Sequence, residues 1–219
     1  MRTLKFLLPL WTLALLLVAC AEAPEGEAAQ TSDALDAKES SGEIWAISDG
    51  NVSWVGSAPG KQHNGIVKVT DGGIVVEGDQ IKGGDFAIDM ASIVVQDLDE
   101  DSGKSKLEGH LSSGDFFLVE QYPYAKFSIV EVEPVDDRED ANYMISGNLT
   151  IKDLTKGISF PAMIEMSEGG LSAKTSKFTI DRTEWDIKYN SGVIGTAQDK
   201  LIHDKIALEI DIQANREAM

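Results

Sequence analysis

The chain predicts a mainly β fold, an antiparallel sandwich or barrel carrying one short helical segment. Three observations lead there. Apolar and polar residues alternate with a period of two through most of residues 44–214, the pattern of half-buried strands. Turn signals punctuate the alternating runs at Ala58-Pro59-Gly60, Asp71-Gly72-Gly73 and Glu168-Gly169-Gly170. Only residues 104–117 space their apolar side chains, Leu107, Leu111 and Phe117, as a helix does. Many short-linked strands of this kind build antiparallel sandwiches or barrels.

Residues 1–19 have the form of an export signal. Arg2 and Lys5 make a positive start, and the run FLLPLWTLALLLV is 13 residues long, too short to span a bilayer comfortably. It ends in Leu17-Val18-Ala19-Cys20, which is similar to the lipobox of bacterial lipoproteins, so Cys20 is expected to become the lipidated first residue of the mature chain. As the only cysteine, it leaves no partner for an intramolecular disulfide. Residues 20–43 are rich in Ala, Glu, Ser and Gly with a single Leu, and the composition predicts a flexible, lipidated acidic tether that holds the domain away from the membrane. Removal of residues 1–19 leaves 17 basic residues against 37 acidic ones, a net charge of −20. Such a surface repels nucleic acid and anionic headgroups, so attachment must come from lipid and not from charge.

The domain itself is expected over 44–214. Strands are predicted at 51–57, 62–70, 73–78 and 82–89. The helical segment at 104–117 follows, placed to cap an open barrel end. In AKFSIVEVE, Phe127 and Ile129 share one parity and Val130 and Val132 the other, which predicts a bulge near Ile129. Further strands are expected at 143–151, 157–166 and 170–180. Residues 181–203 are irregular, with Trp185 and Ile187 folding back onto the body. The closing strand carries Ile206, Leu208, Ile210 and Ile212 on one face and Lys205, Glu209 and Asp211 on the other.

Few residues suggest chemistry. The three histidines, His63, His110 and His203, form no tight metal-ligating pair and read as separate hydrogen-bonding groups. Asp97, Asp99, Asp101 and Glu108 fall at calcium-loop spacing, but Ser102 occupies the position that needs glycine, so a solvated acidic loop is the better reading. No nucleophile elbow, phosphate loop or dinucleotide fingerprint is present. Asp181, Arg182 and Glu184 beside Trp185 read as an Arg–carboxylate brace tying a loop to the barrel. No metal, cofactor or catalytic set is predicted.

The segments WAISDGNVSWVG, KQHNGIVKV, FAIDMASI, KLEGHLSSGDFFLVEQYPYAKF, SGNLTIKDLTKGISFP, FTIDRTEWDI and IHDKIALEIDIQA follow one another in the order seen in YceI-like proteins, and over 43–214 the chain resembles that family. Asp153, Trp185 and Asp186 depart from residues common in it. The resemblance implies an extended, lipocalin-like antiparallel β-barrel of about eight strands with a short helical segment, enclosing a long apolar tunnel. It also implies non-enzymatic binding, carriage or sequestration of an isoprenoid or quinone-like lipid. The alternatives are a ligand-free structural or stress-response lipoprotein that meets a protein partner through its acidic surface, and a lipid-acting enzyme using His63 or the Asp181–Arg182 pair.

Strand parity then names candidate ligand contacts. The charges on the opposite face turn Ile206, Leu208 and Ile210 inward, and the same reasoning turns Tyr143, Ile145 and Leu149 inward. From the aromatic stretch 112–128, Phe117 and Tyr124 are assigned to ligand, and Phe116 and Phe127 to structure. His63 is a possible polar ligand contact. Because Ala21 and Glu22 follow Cys20, without the Asp that commonly retains lipoproteins at the inner membrane, outer-membrane anchoring with the domain in the periplasm is expected. An acidic start of this kind also accompanies surface display in some bacteria.

Overall fold

The computed structural model describes residues 22–216; the signal segment and Cys20 lie outside the described residues. The strands are β1 (Glu27–Ala28), β2 (Gln30–Asp33), β3 (Glu43–Ala58), β4 (Lys61–Glu77), β5 (Gln80–Val95), β6 (Tyr124–Pro134), β7 (Tyr143–Ile151), β8 (Leu154–Met166), β9 (Gly170–Thr175), β10 (Phe178–Asp181) and β11 (Lys205–Arg216). Among the described residues one α-helix, α1 (Lys104–Ser112), follows β5, and short 3-10 turns occupy Arg182–Trp185 and Gly192–Ile194. Strands β3 to β9 pair in succession, β9 pairs β11, and β11 pairs back onto β3, all antiparallel. Eight strands thus close a barrel, as the family resemblance implied.

The strands β3, β4 and β5 run for 16, 17 and 16 residues. At about 3.3 Å per residue they are each about 50 Å long. Strands this long stay wrapped round one interior by bending at bulges. The pairing of β4 with β5 slips at Val69/Asp71, and that of β6 with β7 slips at Ile129/Glu131, where the phase change in the sequence placed a bulge. The first slip corrects the reading of Asp71-Gly72-Gly73 as a turn between two strands. Gly72 has φ 135°, and a Cβ there would lie 2.1 Å from the Asp85 carbonyl oxygen, so the glycine lets one strand kink against its neighbour.

The segment 170–180 is two strands, not one. β9 bonds β8 and β11, whereas β10 bonds β11 on one side and β1 on the other. β8 in turn bonds β2. The arm carrying β1 and β2 therefore fills the seam between β8 and β10, and the reading of 20–43 as a flexible tether is corrected for residues 27–35. Beyond the strands, the Leu35 backbone N–H donates to Asn148 Oδ1 (2.8 Å) and the Asn148 amide donates to the Leu35 carbonyl (2.9 Å). Arg138 pairs with Glu27 at 2.9 Å. Composition hid this, because the arm docks through backbone ladder bonds to open sheet edges and needs few apolar side chains.

Trp185 and Ile187 are fully buried, so the segment after β10 does fold back onto the body, and the Trp185 indole donates to the Leu149 carbonyl at 3.0 Å. Arg182 braces that segment, but its acidic partner is Asp204 (3.1 Å), not Asp181. Its guanidinium, only 2% exposed, also donates to the carbonyls of Ile187, Ile202 and His203. Burial drives its pKa down, opposed by the carboxylates of Asp204 and Asp181. The Asp181 carboxylate instead accepts from Thr183 N–H and opens the 3-10 turn.

Candidate functional site

One end of the barrel is hollow. The C-terminal half of β3, the start of β4 and the end of β5 meet the first residues of β6 and β11 around a cavity of about 440 Å³. Its walls are largely apolar: Val52 and Trp54 from β3, Val67 from β4, Ile88, Met90 and Ile93 from β5, Leu149 and Ile151 from β7, and Ile206 and Leu208 from β11. Alternation explains the choice, since in each strand only every second side chain faces inward. Helix α1 lies across this end and contributes Leu107 and Leu111, with Phe116 and Phe117 from the turns after it. Phe116, His110 and Tyr189 meet ring to ring, with centroids 4.9 to 5.6 Å apart, and form an aromatic corner of the cavity.

Polar groups gather on the cavity boundary at His63, Lys61, Asn190, Asp199 and Lys200. His63 Nδ1 lies 2.8 Å from Asp97, whose other oxygen accepts the Asn64 N–H at 2.9 Å. Burial works against the charged Asp97 carboxylate, yet the Asn64 and His63 hydrogen bonds outweigh it and hold the pKa below the usual range. His110 pairs with Asp115 at 2.9 Å and His203 Nδ1 with Ser57 Oγ at 2.7 Å, so the three histidines engage three different partners. The calcium-loop acids are drawn apart in the same way: Asp97 serves His63, Asp99 caps Ser102, and Glu108 accepts the Val95 N–H. Among the described residues no group of three or more His, Cys, Asp or Glu gathers as a metal site would require.

The other end of the barrel is packed, with a pocket of only about 50 Å³ among Ile74, Ile81, Phe86, Ile145, Ile210 and their neighbours. Between the two spaces lies a row of phenylalanines. Ring centroids are 5.4 Å apart for Phe86–Phe127, 5.5 Å for Phe127–Phe160 and 4.6 Å for the stacked pair Phe160–Phe178. The interior is therefore not a single open tunnel along the barrel.

Among the residues proposed from sequence, Phe117, Leu149, Ile206 and Leu208 line the large cavity, with His63 also on its boundary. Ile145 and Ile210 face the small pocket instead. Tyr124 is 51% exposed and lines neither space, which corrects its assignment. The reason is parity: with Phe127 inward, Ala125 also points inward and Tyr124 shares the outer face with Lys126. Tyr143 does turn inward and packs against the core, but it lines neither space. Phe116, assigned to structure alone, is also a cavity wall. The contributions of β3, β4 and β5 were missed, although the alternation in NVSWV and FAIDM marks Val52, Trp54, Ile88 and Met90 as a same-face set.

Comparison with known proteins places this geometry. The profile of the YceI-like domain matches residues 35–214. A UPF0312 protein of Photorhabdus laumondii is 31% identical over 83 residues, 38% of this chain and 41% of that protein. A UPF0312 protein of Shewanella baltica is 30% identical over 86 residues, 36% of this chain and 44% of that protein. The matches thus span less than half the length of these curated relatives. Burkholderia cenocepacia BcnA superposes with a TM-score of 0.58 at 18% identity, covering 75% of this chain and 96% of that one. A polyisoprenoid-binding domain from Saccharophagus degradans gives 0.57 at 12% identity, covering 79% and 98%. A Campylobacter jejuni YceI protein gives 0.51 at 22%, covering 69% and 85%. At these identities the solved structures show a shared fold.

Proposed function

We propose that this chain, which belongs to the YceI-like family, binds the apolar tail of an isoprenoid-type lipid in its barrel cavity and carries or sequesters it in the cell envelope. The observation that carries the reading is the 440 Å³ cavity, walled by aliphatic and aromatic side chains, in a fold whose Saccharophagus degradans relative is described as polyisoprenoid-binding. Its volume lies within the range of about 300–1,000 Å³ usual for small-molecule sites. Polar groups sit on the boundary, where the head of an amphiphile would rest, and the histidines and carboxylates there engage one another without forming a catalytic set. Binding without chemistry is the reading this supports.

Native mass spectrometry of gently extracted protein should show one apolar lipid per chain. Protein that emerges lipid-free and takes up none when offered prenyl lipids would favour the ligand-free alternative.

The envelope placement rests on the sequence around Cys20. The carbonyl of Glu22 accepts from Ser57 Oγ at 3.2 Å, and Ser57 lines the cavity. Cys20 is two residues upstream, and two residues reach at most about 7 Å. An acyl group on Cys20 would thus hold the hollow end of the barrel beside the bilayer, suited to lipid exchange. Cys20→Ser should move the protein from the membrane to the soluble fraction; retention in the membrane would refute the anchor.

A further inference from the structure

We infer that the row of phenylalanines is a floor that limits the bound tail to three or four isoprene units. The inference rests on the lipid-binding reading and adds a length rule to it. Phe86, Phe127, Phe160 and Phe178 run ring to ring from β5 through β6 and β8 to β10. Phe86, Phe127 and Phe160 wall the small pocket and none of the four rings reaches the large cavity, while Phe178 is 1% exposed and Val69, inside β4, 7%, so packed side chains separate the two spaces. Phe127 is the centre of the row. It is 3% exposed, touches rings on both sides, and separates Ala125 on the large cavity from Ile129 on the small pocket.

Length and volume agree on the limit. On β3 the cavity wall extends from Ala58 to Val52. Six residues at about 3.3 Å, inclined about 40° as barrel strands are, give a depth of about 15 Å. An extended hydrocarbon advances about 1.25 Å per bond at ordinary bond length and angle, so about twelve bonds fit, which is about three isoprene units. By volume, benzene fills a cavity of about 150 Å³, or about 25 Å³ per carbon. On that scale 440 Å³ holds about eighteen carbons, between three and four units. Beyond that length, further units stay in water and add no affinity.

The test uses purified protein, a fluorescent apolar probe in the cavity, and displacement by all-trans prenyl alcohols of two, three, four, six and eight isoprene units. The wild type should tighten at least tenfold from two units to four and then level off. Phe127→Ala removes one ring and joins the 50 Å³ pocket, a gain of about 200 Å³ or about eight carbons on the benzene scale. Its plateau should move to six units, with at least tenfold tighter binding of the six-unit alcohol than in the wild type. Phe127→Leu keeps more of the packing and should shift the plateau in the same direction, so it serves where the alanine variant does not fold. Wild-type affinity that keeps rising to eight units, or a plateau unmoved in a folded Phe127 variant, would overturn the floor while leaving lipid binding intact. Failure of every alcohol to displace the probe would overturn the lipid-binding reading and the floor with it.

Discussion

Substituting Leu208 by tryptophan probes the cavity with a single side chain. Leu208 lies on β11, opposite Trp54 of β3 and Phe178 of β10, and it lines the large cavity. Tryptophan adds about six non-hydrogen atoms, which at about 25 Å³ each occupy about 150 Å³. That is about a third of the 440 Å³ available. A tail sharing the space loses burial of up to about six carbons at about 0.8 kcal/mol each, or about 5 kcal/mol. Even half of that, with the tail bent aside, is about 2.5 kcal/mol and about sixtyfold in Kd. The fold should survive, because the new ring enters empty space instead of the packed interior, where overfilling costs about 1–3 kcal/mol. Displacement of a fluorescent apolar probe measures the affinity, and far-ultraviolet circular dichroism checks the barrel. Gln213→Trp, at an exposed position of the same strand, is the control. A folded Leu208→Trp protein that binds a prenyl alcohol as tightly as the wild type would refute the placement of the tail.

Other parts of the structure make further predictions. Arg182→Ala leaves three carbonyls and Asp204 without their buried donor, so urea denaturation should show a loss of about 3–5 kcal/mol; a loss below about 1 kcal/mol would contradict the brace. Arg182→Lys should recover only part, since an ammonium cannot match the planar fork of donors. Asn148→Ala removes both hydrogen bonds to Leu35, worth together about 1–3 kcal/mol, so amide exchange in residues 27–35 should accelerate while the barrel strands keep their protection; unchanged exchange would show that the arm docks without that latch. Asp140 is held at a pKa of about 2, chiefly by its hydrogen bond with Arg138, and Asp97, Asp186 and Glu43 are also shifted down. Carboxyls with lowered folded pKa values stabilise above their ordinary pKa, and that contribution is lost on protonation, so stability should fall as pH drops from about 4 to 2. Thermal melts in 0.5 M salt, where self-repulsion of the acidic surface is screened, should show this fall; a constant melting temperature across the window would contradict it.

The fold was legible in the sequence where local pattern and physics coincide. The alternation of Ile206, Leu208, Ile210 and Ile212 against Lys205, Glu209 and Asp211 identified an inward face, and the phase change at Ile129 identified a bulge. What escaped depended on distant partners or on continuity. Gly72 reads as a turn until the Asp85 carbonyl is known to lie against it. The local sequence offers Arg182 only the neighbouring carboxylates of Asp181 and Glu184, because Asp204 is brought near only by the fold. The arm at 27–35 looked unstructured because ladder bonds leave no compositional mark. In the site, parity was sufficient for Leu149 and Leu208 and, applied from Phe127, would have turned Tyr124 outward. Parity is silent about depth along the barrel, so Ile145 and Ile210 shared a face with cavity residues but lie beyond the phenylalanine row. Only the three-dimensional packing of Phe86, Phe127, Phe160 and Phe178 shows where the hollow ends.

The central claim, that the hollow end of the barrel holds an apolar tail, is tested most directly by photo-crosslinking. A prenyl alcohol of three isoprene units with a diazirine at the tail terminus would be bound, irradiated, and the labelled peptides sequenced. The label should fall on Ile88, Met90, Ile93, Ala125, Ile206 and Leu208, which line the large cavity, and on Phe86 and Phe127 at its floor. It should be competed away by excess unlabelled alcohol and greatly reduced in Leu208→Trp. Label spread over the outer faces of the strands and insensitive to competition would contradict the claim.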